Sequence, residues 1–395
     1  MHSAMRLRRR TLLASALLPL AAAAAAPGWG ATLRARVAGL GGRGLLHSYD
    51  VTGRTDFDLT QASCAYTYDN AVAGLALLAL GDTQAARRIG DALVHGQSHD
   101  RFWHDGRLRN AYRAGATPVS GPAALPGWWD EAAGRWVEDG YHVASATGVL
   151  AWAMLLWIAL GADYHDAADR CADWVEANVR ATNGYAGGTL GFEPTPQRLS
   201  WVSTEHNIDL GAVFRALGRT EAAAHAEAFV ASMWQAGEGR FATGLKPDGS
   251  LNPHSAVDAN LWPLLAVPRP PATWPRALDW ILSRHGLPAN GPIAGMDGVD
   301  FNDDRDGIWL EGTAITALAA RRQGRPDLAA RLLATLASQT SPGGLVYACT
   351  TPTLTTGLST GLDTTAPDFL YFRRPHLAPT AWAVLAQTGR NPFPE

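Results

Sequence analysis

Six times along this chain a polar cluster opens about three helical turns that are apolar on nearly every side. Asp69-Asn70 leads into AVAGLALLALG, Ser145-Ala146-Thr147 into GVLAWAMLLWIALG, and Glu205-His206-Asn207 into IDLGAVFRALG. Asp258-Ala259-Asn260 then leads into LWPLLAV, Glu311-Gly312-Thr313 into AITALAARRQG, and Pro379-Thr380 into AWAVLAQTG. A helix apolar all round is buried all round. Several of these runs stop at glycine, the usual residue just past a helix C-terminus. One N-cap needs only one polar side chain, so the surplus at each opening needs another use.

Between these segments lie helices with one charged face: TQAARRIGDALVH, HDAADRCADWVEANV, TEAAAHAEAFVASMW, PRALDWILSRHG and RPDLAARLLATLAS. Inner and outer helices therefore alternate, a weak internal repeat of helical hairpins. Five outer helices follow inner ones. The sixth inner helix needs a partner, and ATLRARVAGLGGRG near the start of the chain can supply it. The expected fold is all-α, an (α/α)6 toroid whose N-terminal helix pairs with the last inner helix. Residues 1–30 are read as an export leader and 31–395 as one barrel domain. The long connections all enter inner helices and the short ones all leave them, so one rim is elaborate and the other bare. Long structured loops carry function, which puts a cleft on the elaborate rim, floored by the N-terminal ends of the inner helices.

The leader reading rests on Arg6, Arg8, Arg9 and Arg10 ahead of a short apolar run and an alanine stretch. Arg9-Arg10-Thr11-Leu12-Leu13 is similar to a twin-arginine signal, so a periplasmic or secreted destination is expected, with no stable membrane insertion after processing. Removing the leader's four arginines takes the formal charge from -3 to -7, which excludes nucleic acid as an expected partner. Cys64, Cys171 and Cys349 show no metal-ligand spacing and read as structural thiols. Only 17% of residues are charged, while Trp occurs 15 times. Many aromatics with few charges suit a surface that stacks on sugar rings.

The layout resembles the six-hairpin glycosidase-like superfamily. The strings Tyr68-Asp69-Asn70, Glu205-His206-Asn207-Ile208-Asp209 and Asp306-Gly307-Ile308-Trp309-Leu310-Glu311-Gly312-Thr313-Ala314 also look like those of an exported bacterial family found among polysaccharide genes. The resemblance implies an active cleft at the N-terminal ends of the inner helices and an oligosaccharide or polysaccharide as partner. It does not single out one reaction. A glycoside hydrolase is the leading expectation. The alternatives are a polysaccharide lyase and a non-catalytic glycan-binding protein supporting polysaccharide export.

Glycoside hydrolysis needs a protonated carboxyl and a second carboxylate. Glu205 and Glu311 are the candidate acids, because Glu starts closer to neutrality than Asp and burial raises it further. Asp69 and Asp258 are candidate bases that could equally cap helices, and Asp139 is a further candidate. Asp209, one turn below Glu205, reads as a supporting residue. His142, His206 and Asn207 are expected to bind sugar hydroxyls. Trp129, Trp201 and Trp309 are expected to stack on rings, with Trp103, Trp128, Trp136 and Tyr371 in reserve. Arg373 and Arg374 are expected to bind an acidic group or to pair with the acidic loop FNDDRDG. No cofactor is expected. The one metal alternative is calcium at loop 302–306, where Asn302, Asp303, Asp304 and Asp306 offer oxygen ligands, but the loop is read as lacking the twelve-residue calcium pattern and Arg305 intrudes.

Overall fold

The computed structural model describes residues 28–53, 55–291, 295–359, 361 and 368–394. The expected leader lies outside them except for its last three residues. Trp29 already belongs to a helix, and its buried indole donates to Thr340 Oγ1 at 2.9 Å.

In chain order the helices are α1 (Trp29–Gly39), α2 (Asp56–Gln61), α3 (Thr67–Ala79), α4 (Thr83–Ser98), α5 (Thr147–Leu160), α6 (His165–Asn178) and α7 (Thr204–Ala216). They continue with α8 (Thr220–Ser232), α9 (Val257–Ala266), α10 (Arg276–Arg284), α11 (Leu310–Arg322), α12 (Pro326–Ser338) and α13 (Leu377–Thr388). The inner wall is α3, α5, α7, α9, α11 and α13, each packed on the next, with α13 returning to α3. The outer layer is α4, α6, α8, α10 and α12, and α1 packs on both α13 and α3. The N-terminal helix thus closes the ring, as the hairpin count requires.

Composition explains the two layers. In α5 and α11 nearly every residue is buried, whereas α4, α10 and α12 bury only one side, mainly through Ala, Leu and Ile. Turns from inner to outer helices are tight. Gly81, Gly218 and Gly324 sit in them at φ 76°, 72° and 72°, a conformation that costs other residues. At the opposite rim, short antiparallel ladders brace the long arms. Val202–Ser203 pairs with Gly244–Leu245, and Thr353–Thr355 with Leu370–Phe372.

The polar openings of the inner helices follow one register. The first N–H of each helix donates to a carbonyl of a neighbouring arm: Thr67 to Asn110, Thr147 to Gly187, Thr204 to Thr243, Val257 to Phe301, Leu310 to Ala348 and Leu377 to Ser48. The fourth residue clamps an extended segment. Asn70, Asn207 and Asn260 each accept the backbone N–H of one residue (Leu46, Tyr185 and Phe241) and donate back to that residue's carbonyl. Thr313 and Thr380 accept from Val299 and Val346 in the same way. A buried amide or hydroxyl so used satisfies backbone groups that would otherwise cost stability. Asn207 is therefore a structural clamp, and the expectation that it binds sugar is corrected.

An ion cluster built on a buried arginine holds the arm before α5. Arg109, 0% exposed, pairs with both oxygens of Asp100, with Glu193, and with the Val143 carbonyl. Burial opposes the charge on Asp100, but the guanidinium outweighs it and holds the carboxyl below its usual range.

Candidate active site

The second residue of each inner helix occupies an equivalent place at the helix mouth. In order these are Tyr68, Gly148, Glu205, Asp258, Glu311 and Ala378. All but Ala378 line one cavity of about 430 Å³ at the elaborate rim, within the ordinary size range for small-ligand sites. Asp69 and His206, third residues of their helices, join them. The walls are aromatic: Tyr49, Tyr141, Trp201, Phe301, Trp309 and Tyr371. Trp152 and Trp262 form the floor, and Trp382 and Phe393 pack against them from below.

Two glycines let aromatic rings into this space. A Cβ on Gly148 would meet the His206 ring at 2.4 Å, and one on Gly312 would meet the Trp309 ring at 2.2 Å. The glycine after Glu311 therefore seats Trp309 from the preceding turn.

Electrostatics separates the carboxyls. Burial, reinforced by Asp258, Asp209 and Glu311, holds Glu205 well above the usual carboxylate range. No protein hydrogen bond to its carboxyl is seen among the described residues, and part of its surface opens to the cavity. Glu311 is pushed up to about 8, chiefly by burial and then by Asp69 and Asp258, against a hydrogen bond from Tyr68. Asp258 is raised by burial to only about 6, because the Ala259 N–H, 2.6 Å from its Oδ1, favours the charged form. Burial thus raises all three carboxyls, and the Ala259 N–H favours ionised Asp258 while no hydrogen-bond donor to Glu205 is seen among the described residues. Asp69 caps no helix: its Oδ2 lies 3.0 Å from His376 Nε2, and the His376 ring stacks on Tyr49. Burial lowers His206 to about 4, leaving a neutral imidazole. Asp209 is fully buried, and burial, reinforced by the nearby Asp258, holds its carboxyl well above the usual range.

Several expected site residues are placed elsewhere. Asp139 accepts the N–H groups of Tyr141 and His142. His142 is buried against the Tyr66 hydroxyl at 2.9 Å. Trp129, 53% exposed, faces Trp136 across a surface hairpin. Arg373 stacks on Tyr347 and donates to Gln339 and the Cys349 carbonyl. Arg374 pairs with the buried Asp58. None of the five lines the cavity: Asp139, His142, Arg373 and Arg374 are engaged by the arms, and Trp129 lies on the surface hairpin. Cavity residues that the sequence does not single out include Tyr49, Tyr68, His254, Phe301 and His376. The signal for Tyr68 was its register, two residues before Asn70, as Glu205 precedes Asn207 and Asp258 precedes Asn260.

No family model and no curated protein matches the sequence. Solved structures do match its fold. A glycosidase in complex with glucose aligns at a TM-score of 0.55 and 14% identity, over 93% of this chain and 98% of that one. An alpha-amylase from Clostridium perfringens aligns at 0.58 and 9%, over 92% and 97%. The chain has a six-hairpin glycosidase-like fold. D-mannose isomerase also shares it, at 0.57 and 10% identity over 91% and 97%, so the six-hairpin scaffold is compatible with more than one sugar chemistry. No helix among the described residues is long and apolar enough to cross a membrane.

Proposed function

We propose that this chain is an exported carbohydrate-active enzyme, a glycoside hydrolase acting on an uncharged glycan. The observation that carries the reading is the placement of Glu205, Asp258 and Glu311 at equivalent positions of three successive inner helices, facing one aromatic cavity. Protonated Glu205 gives its proton to the glycosidic oxygen as the C–O bond breaks. Ionised Asp258 takes a proton from the water that attacks the anomeric carbon. The backbone N–H of Ala259 beside Asp258 favours its ionised form, and the absence of a donor at Glu205 among the described residues favours its protonated form, the division that an acid and a base need. Direct attack by that water, with no covalent intermediate, inverts the anomeric carbon. Glu311, held by Tyr68, is assigned to a sugar hydroxyl. Trp201, Trp309 and Tyr371 stack on the rings.

No arginine or lysine lines the cavity among the described residues. A uronate carboxylate would meet five carboxyl side chains (Asp69, Glu205, Asp258, Glu311 and Asp368) and no fixed cation, which favours neutral sugars and disfavours a lyase. Proton transfer on a free sugar is the second reading, favoured by the His376–Asp69 pair in the cavity wall.

The test is incubation with neutral and uronate-containing glycans and free monosaccharides, scoring reducing ends, unsaturated ends and isomerised sugar. New reducing ends from neutral glycans, lost in Glu205→Gln and Asp258→Asn by a factor on the order of 10²–10⁴, are expected. Unsaturated ends, isomerisation alone, or binding without turnover would each contradict hydrolysis.

A further inference from the structure

The acidic loop before α11 has a different arrangement from the one its sequence suggests. Read from Asp300 instead of Asn302, acidic or amide residues stand at positions one, three, five and seven: Asp300, Asn302, Asp304 and Asp306. This is the oxygen-ligand spacing of a twelve-residue calcium loop, whose sixth residue is normally a glycine that makes the sharp turn. Arg305 holds that sixth place and adopts φ 61°, the one positive φ outside glycine among the described residues. Its guanidinium does not intrude among the carboxylates. It turns away and donates to the Arg284 and Ser283 carbonyls at the end of α10. Asp303, an expected ligand, also turns away and pairs with Arg284 at 3.5 Å.

One carboxylate oxygen each from Asp300, Asp304 and Asp306 lie within 4.8 Å of one another. Oxygens sharing one calcium at about 2.3–2.6 Å can be no more than roughly 5 Å apart. Asp300 is fully buried, and its Oδ2 has no hydrogen-bond partner while its Oδ1 accepts the Phe301 N–H. A buried carboxylate oxygen left without a partner is costly. No arginine, lysine or histidine pairs with any of the three among the described residues, whereas Asp303 beside them is paired. Asp304 and Asp306 reach solvent, so an ion has an entry path.

We infer that Asp300, Asp304 and Asp306 form a calcium site that fastens the loop before α11 to the arm covering the cavity. Thr355 is the fastening point. Its hydroxyl donates to Asp304 at 2.6 Å and its N–H to Asp306 at 3.0 Å. The next residues, Thr356, Gly357 and Leu358, wall the cavity, as do Phe301 and Trp309 on the other side of the loop. The twelfth residue counted from Asp300 is Glu311, which in calcium loops gives a bidentate carboxylate. Here Glu311 accepts from Tyr68 instead. Without that ligand the affinity belongs with the weaker extracellular class, about 10⁻⁴–10⁻³ M. The inference is independent of the hydrolase reading.

The experiment is calorimetric titration of chelator-treated full-length protein with calcium and with magnesium, alongside thermal unfolding at each concentration. One calcium per chain, a midpoint that rises with calcium, and weaker magnesium binding are expected. Asp304→Asn is the principal variant, because it is exposed and isosteric and keeps the Thr355 contact. It should weaken calcium binding by about tenfold or more while leaving the far-ultraviolet circular dichroism unchanged. Asp300→Asn should abolish binding. The site is refuted by the absence of both heat and thermal shift up to about 10 mM calcium. Calcium binding equally tight in Asp304→Asn, or tighter magnesium binding, refutes it as well.

Discussion

Tyr68, the second residue of α3, donates its hydroxyl proton to the carboxyl of Glu311, the second residue of α11 and 243 positions further along the chain. The same hydroxyl accepts the Trp382 indole N–H at 2.9 Å. Tyr68→Phe removes a donor that favours ionised Glu311 and leaves a buried indole without an acceptor. The expected result is a further rise of the Glu311 pKa, read by carboxyl-specific infrared or NMR titration, and a stability loss of about 1–3 kcal/mol. An unchanged Glu311 titration would contradict the assignment.

Glu311 also makes stability depend on pH. Its pKa is about 8 in the folded chain, above the ordinary value of 4.5. A raised carboxyl means that the folded state binds more protons than the unfolded state between these values. Its contribution is therefore fully present below about pH 4.5 and is lost as pH rises through about 8. Glu311→Gln keeps an acceptor for Tyr68 and has no proton to lose. The variant should unfold at a higher temperature than the parent at pH 9, with the difference shrinking towards pH 5. A constant difference would remove Glu311 as the cause.

Activity should follow a bell. The acidic limb belongs to Asp258, which must be ionised to act as base and is raised to about 6. The alkaline limb belongs to Glu205, which must be protonated and is held well above the usual range. The profile of kcat/KM is expected to rise through about pH 6 and to fall again at higher pH as Glu205 loses its proton. Residual activity in Asp258→Asn should lack the acidic limb.

The Arg109 cluster should matter to folding and not to chemistry. Arg109→Met leaves Asp100 and Glu193 without their buried partner. Breaking such a pair from one side costs about 3–5 kcal/mol. Chemical denaturation should show that loss, and the protein that remains folded should keep the parent's KM. A change below about 1 kcal/mol would place the cluster among ordinary surface pairs.

Much of the fold was legible because six helices apolar on all sides have only a few ways to be buried together, and a ring of hairpins is one. Glu205, Asp258 and Glu311 were legible for a related reason: a helix mouth at the cavity rim can display a carboxyl without packing it away. The arginines misled because charge on a long arm can serve the arm itself. Arg374 neutralises Asp58, and Arg373 lies on Tyr347. Asn207 misled because a clamp and a sugar contact use the same amide. Only the repeated contact, Asn70 on Leu46, Asn207 on Tyr185 and Asn260 on Phe241, separates the two. His376 was hard to read because its partner Asp69 is 307 residues away and its helix carries no acid of its own.

The central claim, that Glu205 delivers the proton to a departing glycosidic oxygen, is tested most directly by changing the leaving group. The rate of Glu205→Gln should be compared with the parent on a neutral oligosaccharide and on the matching glycosyl fluoride, whose fluoride departs without protonation. The account predicts a loss on the order of 10²–10⁴ on the oligosaccharide and a far smaller loss on the fluoride, with inverted anomeric product by NMR. Equal losses on the two substrates would contradict it.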